Sequence, residues 1–591
     1  MRAVAGSAAP RLDCYNARQA TGRDHNKIGD TMFRQLLTPV AGSLGWSFLV
    51  ALFPVVTVLL LLGALRRPAW QAALAGLAVA FAVAVIGWDM PVALALEASV
   101  NGAVFAVWPV MWIVVNALLL YNVAVRSGRC DAFRRWILTH LPNDRRIVLV
   151  VIGFCFGALL EGISGFGTPV AITSSLLIMV GFPAIEALVF VLIFNTAPVA
   201  FGALGAPVTV LGAVTGLPAA TLAAMIGRQL PIMALILPFY VMALYGGARS
   251  VARLWPVLLV AGGSFACAQF LASNFIDYTL TDVLSSLGSL IVTIGFLRLW
   301  RPAPDPHFAI SRAALGAAAA GAASIDAADL GGHKQELEAT PAEIAPWQGW
   351  LPWVIVSAVV IVWSSFKIPK LGQQDIPWPG LHKAISITLY GDKPYAAIWS
   401  FQPLGTGTAI LLAAVITAAV VRLSPGAFIA CIGATIRQIW IAVVTVMLIV
   451  ALAYLMNYSG LAYTLGLGAA STGRWFLLFS PFLGWVAVFL SGSDTSGNAL
   501  FGNLQVVAAK QLGLNPVLFA ATNSSGGVMG KMISPQNIAT GVSVTKLQGR
   551  EGEILARTFL HSIVLTVVLA VLVVVTQYLL PGIIPSAAPS P

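Results

Sequence analysis

The sequence predicts an all-α polytopic membrane protein, with about twelve crossings plus two re-entrant hairpins in inverted repeats. Three observations predict it. Of the 591 residues, 59% are apolar and only 9% charged, where soluble chains carry roughly a quarter charged residues. Apolar runs of about 17–25 residues, enough to cross the hydrocarbon core, recur along almost the whole length. Finally, apolar runs broken by Gly, Pro, Ser, Thr and Asn occur at 148–207 and again at 475–535.

The net charge is +11, and the Lys and Arg fall in loops. That is the pattern of cytoplasmic loops, not of nucleic-acid binding, so the expected partner is the lipid bilayer. Cys14, Cys130, Cys155, Cys267 and Cys431 form no CxxC pair, and no histidines pair in an HExxH. Neither a disulfide, nor a metal site, nor any other cofactor is expected.

Residues 1–44 are polar, with no short apolar core and cleavage site behind them, so they form no cleavable signal. The first transmembrane half, 44–246, opens with spans at 46–65, 70–88 and 104–125. A basic segment from Arg126 to Arg146 follows. The first hairpin, 148–181, has apolar legs at 148–160 and 170–180 around EGISGFGTP. Each leg reads as too short to cross alone. Then 184–194 begins a span, NTAPVAFGALGAP interrupts it, and 208–214 completes it. A span at 230–245 closes this half, and 247–300 holds two linking spans, 257–272 and 283–299. Residues 301–347 are rich in Ala, Gly and Pro and read as a flexible cytoplasmic loop. The second half, 348–580, contains spans at 350–366, 406–421 and 438–457, with a polar outer loop at 367–402. Its hairpin, 475–513, turns at SGSDTSGN. The run 517–522 meets NSSGGVMGKMISP, which reads as a second unwound segment, and resumes at 538–544. The last span is 559–580, and 581–591 is a tail.

Residues 162–184 align without gaps on 494–516, and Asn195, Gly202 and Pro207 keep the spacing of Asn523, Gly530 and Pro535. With an outside N-terminus, twelve crossings place most Lys and Arg groups of the short loops inside. The first hairpin then opens from the cytoplasm and the second from outside, so the repeats are inverted, as in many secondary transporters. Residues 1–31, with Arg2, Arg11, Arg18, Arg23 and Lys27, contradict this path because they too would lie outside. They read as a doubtful extension, with translation starting at Met32.

Irregular backbone at membrane depth is tolerated only where protein or a watery cavity satisfies it. The hairpin tips and unwound segments therefore point to one shared cavity, where half-helix N-termini suit a carboxylate. Candidate substrate-binding residues are Ser164, Gly165, Asn195, Thr196, Ser493, Thr495, Ser496, Asn523, Ser524, Ser525 and Lys531. Any one of the polar residues can equally be a cap for a broken helix end. Glu161 and Asp494 are acids inside apolar surroundings, where an ionised carboxylate costs roughly 2.5–3.5 kcal/mol at a helix centre. Each is a candidate proton carrier or a structural carboxylate. Lys531 is placed to attract an anion, to neutralise Asp494, or to snorkel to the inner surface. No phosphate-binding loop occurs, so an ion gradient is the expected energy source, and no nucleophile–base pair argues for an enzyme.

CFGALLEGISGFGTPVAIT, NTAPVAFGALGAPV, GRQLP, SGSDTSGNALF and GGVMGKMISPQ resemble the L-lactate permease family over about 44–580. Residues 1–31, 301–347 and the tail depart most from it. The resemblance implies proton-coupled uptake of L-lactate, with D-lactate and glycolate as related substrates, across the bacterial inner membrane. More remotely it implies an elevator-type transport domain moving past a scaffold. A sodium-coupled carboxylate transporter of the same architecture, or a passive anion channel, are the alternatives. Stereospecificity and oligomeric state, a homo-oligomer included, stay open.

Overall fold

The computed structural model describes residues 32–586, apart from 64, 66, 164–167, 304, 311–343, 546 and 548–549. Residues 1–31, the hairpin residues Ser164 and Gly165, most of the 301–347 loop and the end of the tail lie outside the described residues. The chain is overwhelmingly helical. Ten helices are long and apolar enough to cross a membrane, and eleven if a pair bent by 64° counts as one span.

Helices α1 (Leu44–Gly63), α2 (Ala69–Ala82), α3 (Val92–Phe105) and α4 (Trp112–Arg126) form the opening group. Trp108, with φ −133° and ψ 113°, breaks the path between α3 and α4. Helix α5 (Arg129–His140) carries the basic segment. Helix α6 (Arg145–Ile163) and α7 (Thr168–Met179) are the legs of the first hairpin. They are followed by α8 (Ala184–Phe194) and α9 (Gly202–Thr215), the bent pair.

The helical stretch α10 (Ala219–Leu271) contains Gly247 at φ 67° and ψ −179°. The chain folds back there. A Cβ on Gly262 would lie 2.8 Å from the Leu235 carbonyl oxygen, and Arg228 Nε donates to Asn274 at 3.0 Å. The two halves of α10 are therefore the antiparallel spans expected around 230–245 and 257–272. Helix α11 (Thr281–Leu299) completes the link.

The second half comprises α12 (Leu351–Ser365), α13 (Thr406–Val420), α14 (Pro425–Ser459), α15 (Leu461–Ala470) and the hairpin α16 (Phe476–Ser491) and α17 (Asp494–Gln511). Then come α18 (Pro516–Lys531), α19 (Pro535–Thr545) and α20 (Glu551–Tyr578). Helix starts follow local chemistry. Ser424 accepts from Ala427 N, and Asn515 accepts from Val517 N and Leu518 N, with Pro425 and Pro516 in the first turn. Proline is favoured there because its missing N–H is unpaired anyway.

The loop between α12 and α13 is not structureless. Strands β2 (Gln374–Pro377) and β5 (Ile398–Phe401) pair antiparallel. Strand β3 (Ile385–Ile387) pairs with β4 (Lys393–Pro394) and, in parallel, with β1 (Phe33–Arg34). Short alternating runs in a polar segment leave little sequence signal for such pairs.

The ties between loops define two faces. On one, Arg145 donates to the carbonyls of Gly181 and His307 at 3.2 and 2.8 Å, and Arg146 pairs with Asp144 and Asp305. On the other, Arg34 pairs with Asp392, and Trp399 donates to the Trp108 carbonyl. The start of the first hairpin thus lies beside its end, on the basic face. Its first leg runs 19 residues, or about 28 Å at 1.5 Å per residue. That leg is longer than its apolar core implied, because the helix extends back through Arg145 and Arg146. The pairing of ends makes 145–181 a helical hairpin that returns to the face it left; its second leg, α7, is the short one at 12 residues. In the second hairpin, Val507 clusters with Leu37 and Tyr463, against Ile387 and Leu389 of the β3 region. The hairpins open toward opposite faces, and the repeats are inverted.

One segment departs from expectation. NSSGGVMGK is not unwound but lies in regular helix α18, and the break is confined to residues 532–534. Glycine, serine and asparagine weaken helices exposed to water. Here they serve packing. A Cβ on Gly526 or Gly530 would overlap the carbonyls of Pro481 or Trp485, and one on Gly484 would overlap that of Asn523. Small residues four apart let membrane helices approach backbone to backbone. Asn523 donates to the Gly497 carbonyl and Ser525 to Gln229 at 2.7 Å, so the polar groups are satisfied inside the bundle.

Candidate functional site

Between the two halves lies a small, partly open cavity of about 40 Å³. Its polar wall comes from both repeats. Glu161 comes from the first hairpin and Gly202, Ala203 and Pro207 from the broken helix behind it. The turn Gly492–Thr495 comes from the second hairpin, and Lys531 from the end of α18. Val110, Met111 and Val114, just after the Trp108 break, and Val446 from α14 form an apolar wall.

Each polar group is positioned by its element. Lys531 ends α18, where a basic side chain complements the helix dipole. Its ammonium donates to Glu161 Oε1 in a buried ion pair, with side chains 7% and 2% exposed. It does not snorkel to the surface, and its direct ion-pair partner is Glu161, with Asp494 in the same cavity. Glu161 Oε2 has no partner among the described residues. The Glu161 carboxylate also lies against Gly202, where a Cβ would sit 3.0 Å from Oε1. Beside it, Ala203, Leu204 and Gly205 all have positive φ, at 46°, 54° and 78°. Two consecutive non-glycine residues in that region are strained, as is common at ligand sites.

The second hairpin turns at Gly492, φ 71°. Ser493 then caps α17 by accepting from Ser496 N at 3.4 Å. The positive end of an 18-residue helix therefore faces the cavity, an arrangement that favours an anion. Asp494 Oδ2 accepts from Ser524 at 2.5 Å and from Asn498 at 3.2 Å, while Oδ1 has no partner among the described residues.

Of the residues singled out in the sequence, Glu161, Ser493, Asp494, Thr495 and Lys531 meet at the cavity. Asn195, Thr196, Ser496, Asn523, Ser524 and Ser525 do not line it. Thr196 donates to the Ile193 carbonyl at 2.7 Å, and Ser524 acts only through Asp494. Ser164 and Gly165 lie outside the described residues. The apolar wall escaped sequence reasoning because residues facing a cavity look like residues facing lipid; only the Trp108–Pro109 interruption marked the place. Asp282, at the start of α11, was missed as well. It is 1% exposed.

The arrangement can hold a small anion between an ammonium, a helix N-terminus and an apolar wall. A scan against family models matches residues 47–580 to "L-lactate permease". The chain belongs to the L-lactate permease family. Curated relatives include the L-lactate permease of Escherichia coli K12, 39% identical over 92% of this chain and 98% of the relative. The same organism's glycolate permease GlcA is 38% identical over 93% and 99%. The Bacillus subtilis L-lactate permease is 37% identical over 93% and 99%. As a permease-family member with this helical architecture, the protein is a multi-pass transporter of the bacterial inner membrane. The family match spans both hairpins, the bent pair α8 and α9, and the ion pair.

Proposed function

We propose that the protein imports L-lactate and related 2-hydroxymonocarboxylates, D-lactate and glycolate among them, together with a proton. The family relationship supports the substrate class. The buried Lys531–Glu161 pair, joining the two repeats across the cavity, carries the coupling.

In the empty carrier the pair is neutral. A lactate carboxylate that reaches Lys531 displaces Glu161, and the displaced carboxylate would be buried without a partner. An unpaired charge at membrane depth costs several kcal/mol. Binding a proton removes it, so the loaded site holds an ammonium, a lactate anion and a neutral Glu161. Empty and loaded sites then carry the same net charge. Lactate without a proton leaves one negative charge too many, and that species does not cross. Ser493, Thr495 and the α17 N-terminus supply donors for the carboxylate and hydroxyl. The methyl group faces Val110, Met111 and Val446. The hairpins and broken helices move as a transport unit past α4 and α14.

Radiolabelled lactate uptake in proteoliposomes, with pH and sodium gradients varied separately, tests this. Accumulation should follow the pH gradient, need no sodium and move no net charge. Uptake that requires sodium and survives a proton uncoupler would overturn the reading, and a conductive lactate leak without counterflow would indicate a channel.

A further inference from the structure

Asp282 is a buried carboxylate that the coupling scheme above does not use. It stands in the first turn of α11, 1% exposed. Neither Oδ1 nor Oδ2 has a hydrogen-bond partner among the described residues. An ionised carboxylate in that state is the costliest arrangement a membrane interior can hold. Asp282 is also pressed against the turn that carries Glu161. A Cβ on Gly162 would lie 2.6 Å from Asp282 Cβ and 3.4 Å from its carbonyl carbon. Gly162 is thus glycine because the two backbones meet there. Yet Asp282 is not one of the residues that line the cavity.

The groups around it are few. Glu161 and Lys531 act on it electrostatically. From the hairpin leg packed along α11, the Cys155 thiol is engaged with Ser289 at 3.3 Å. Ahead of α11, Asp277 caps Thr279 and Tyr278 hydrogen-bonds Thr209. Among the described residues Lys531 is the one cation acting on it, and Lys531 is committed to Glu161.

We propose that Asp282 is a proton relay behind Glu161, set against the adjoining Gly162 and outside the residues that line the cavity. The inference rests on the proton-coupled reading and names the route the proton takes. Asp282 carries a proton in the empty carrier. When lactate takes Lys531, the Asp282 O–H proton passes to the freed Glu161 carboxylate, leaving Asp282 as the anion. Asp282 then takes a proton from water on the face from which lactate entered. One proton enters per lactate, one O–H bond breaks for each that forms, and the proton never crosses the substrate cavity.

The test compares wild type, Asp282→Asn and Asp282→Glu in proteoliposomes, reading accumulation at an imposed one-unit pH gradient and lactate counterflow at symmetric pH. One-to-one symport gives wild type about tenfold accumulation. Asp282→Asn, which keeps the shape but not the exchangeable acid, should accumulate no more than about twofold while still exchanging lactate, and Asp282→Glu should restore part of the accumulation. Wild-type accumulation in Asp282→Asn overturns the relay and leaves proton coupling standing. Loss of counterflow in both variants also overturns it, by making Asp282 structural. Absence of pH-driven accumulation in wild type overturns the coupling itself, and the relay with it.

Discussion

Replacing Glu161 with Gln tests the charge argument most directly. The amide keeps the shape of the side chain but gives up its charge, so Lys531, 5% exposed, becomes an unpaired buried cation. Removing one partner of a buried ion pair typically costs about 3–5 kcal/mol. That penalty falls on the empty carrier alone, because bound lactate supplies the missing carboxylate. The empty state rises and the bound state does not, so lactate binds more tightly. If relaxation and water recover most of the penalty and about 1.4 kcal/mol survives, affinity still rises about tenfold. The pH dependence changes as well. In the wild type, lactate binding takes up a proton, so raising the pH weakens binding, by up to about tenfold per unit, since the linkage slope is set by protons bound. In Glu161→Gln that slope disappears, and accumulation against a pH gradient disappears with it. Titration calorimetry with lactate across pH, alongside proteoliposome uptake, reads both quantities. Wild-type affinity with a wild-type pH slope in the variant would refute the exchange of carboxylates at Lys531 and return Glu161 to a structural role.

Other consequences are simpler to state. Lys531→Met removes a charge-assisted hydrogen bond worth about 1.5–3 kcal/mol; the half-saturating lactate concentration should rise at least about tenfold, and an unchanged value would dismiss substrate contact. Met111→Ala or Val446→Ala opens the apolar wall. Since one methylene in an apolar pocket is worth about 10–200-fold in discrimination, competition assays should show 2-hydroxybutyrate gaining about tenfold on lactate. Gly526→Ala forces a methyl into the Pro481 carbonyl; overpacking of about 1–3 kcal/mol or more should lower the thermal unfolding midpoint of the purified protein, with lactate binding reporting whether the site survives.

Much of this plan was legible in the chain because membrane proteins confine breaks and charges to few places. Glu161 and Asp494 stood out against apolar surroundings, and the turns at 164–168 and 491–496 held the only dense clusters of Ser, Gly and Thr in their runs. Three things were not legible. The Gly-Ser-Asn run in α18 looks like a helix breaker by its propensity in water, whereas inside the bundle its small size is what lets α16 approach. Val110, Met111 and Val446 have no property that separates a cavity-facing apolar residue from a lipid-facing one. Asp282 sits at the edge of an apolar run, where an acid reads as a boundary marker at a helix N-terminus. Only the packing against Gly162 shows that it is buried.

The ion pair also bears on how such a carrier could have arisen. In the register that aligns the two halves, Glu161 falls opposite Ser493 and Lys531 falls opposite Ala203. The acid belongs to one half and the base to the other, and no mirror pair exists. At the two pair positions, a tandem of two first halves would hold acids and no base, and two second halves bases and no acid. Duplication alone therefore builds the container but not the coupling, which required the copies to diverge. The halves are no longer interchangeable parts, and a chimera that swaps them should insert in the membrane yet fail to drive lactate uphill.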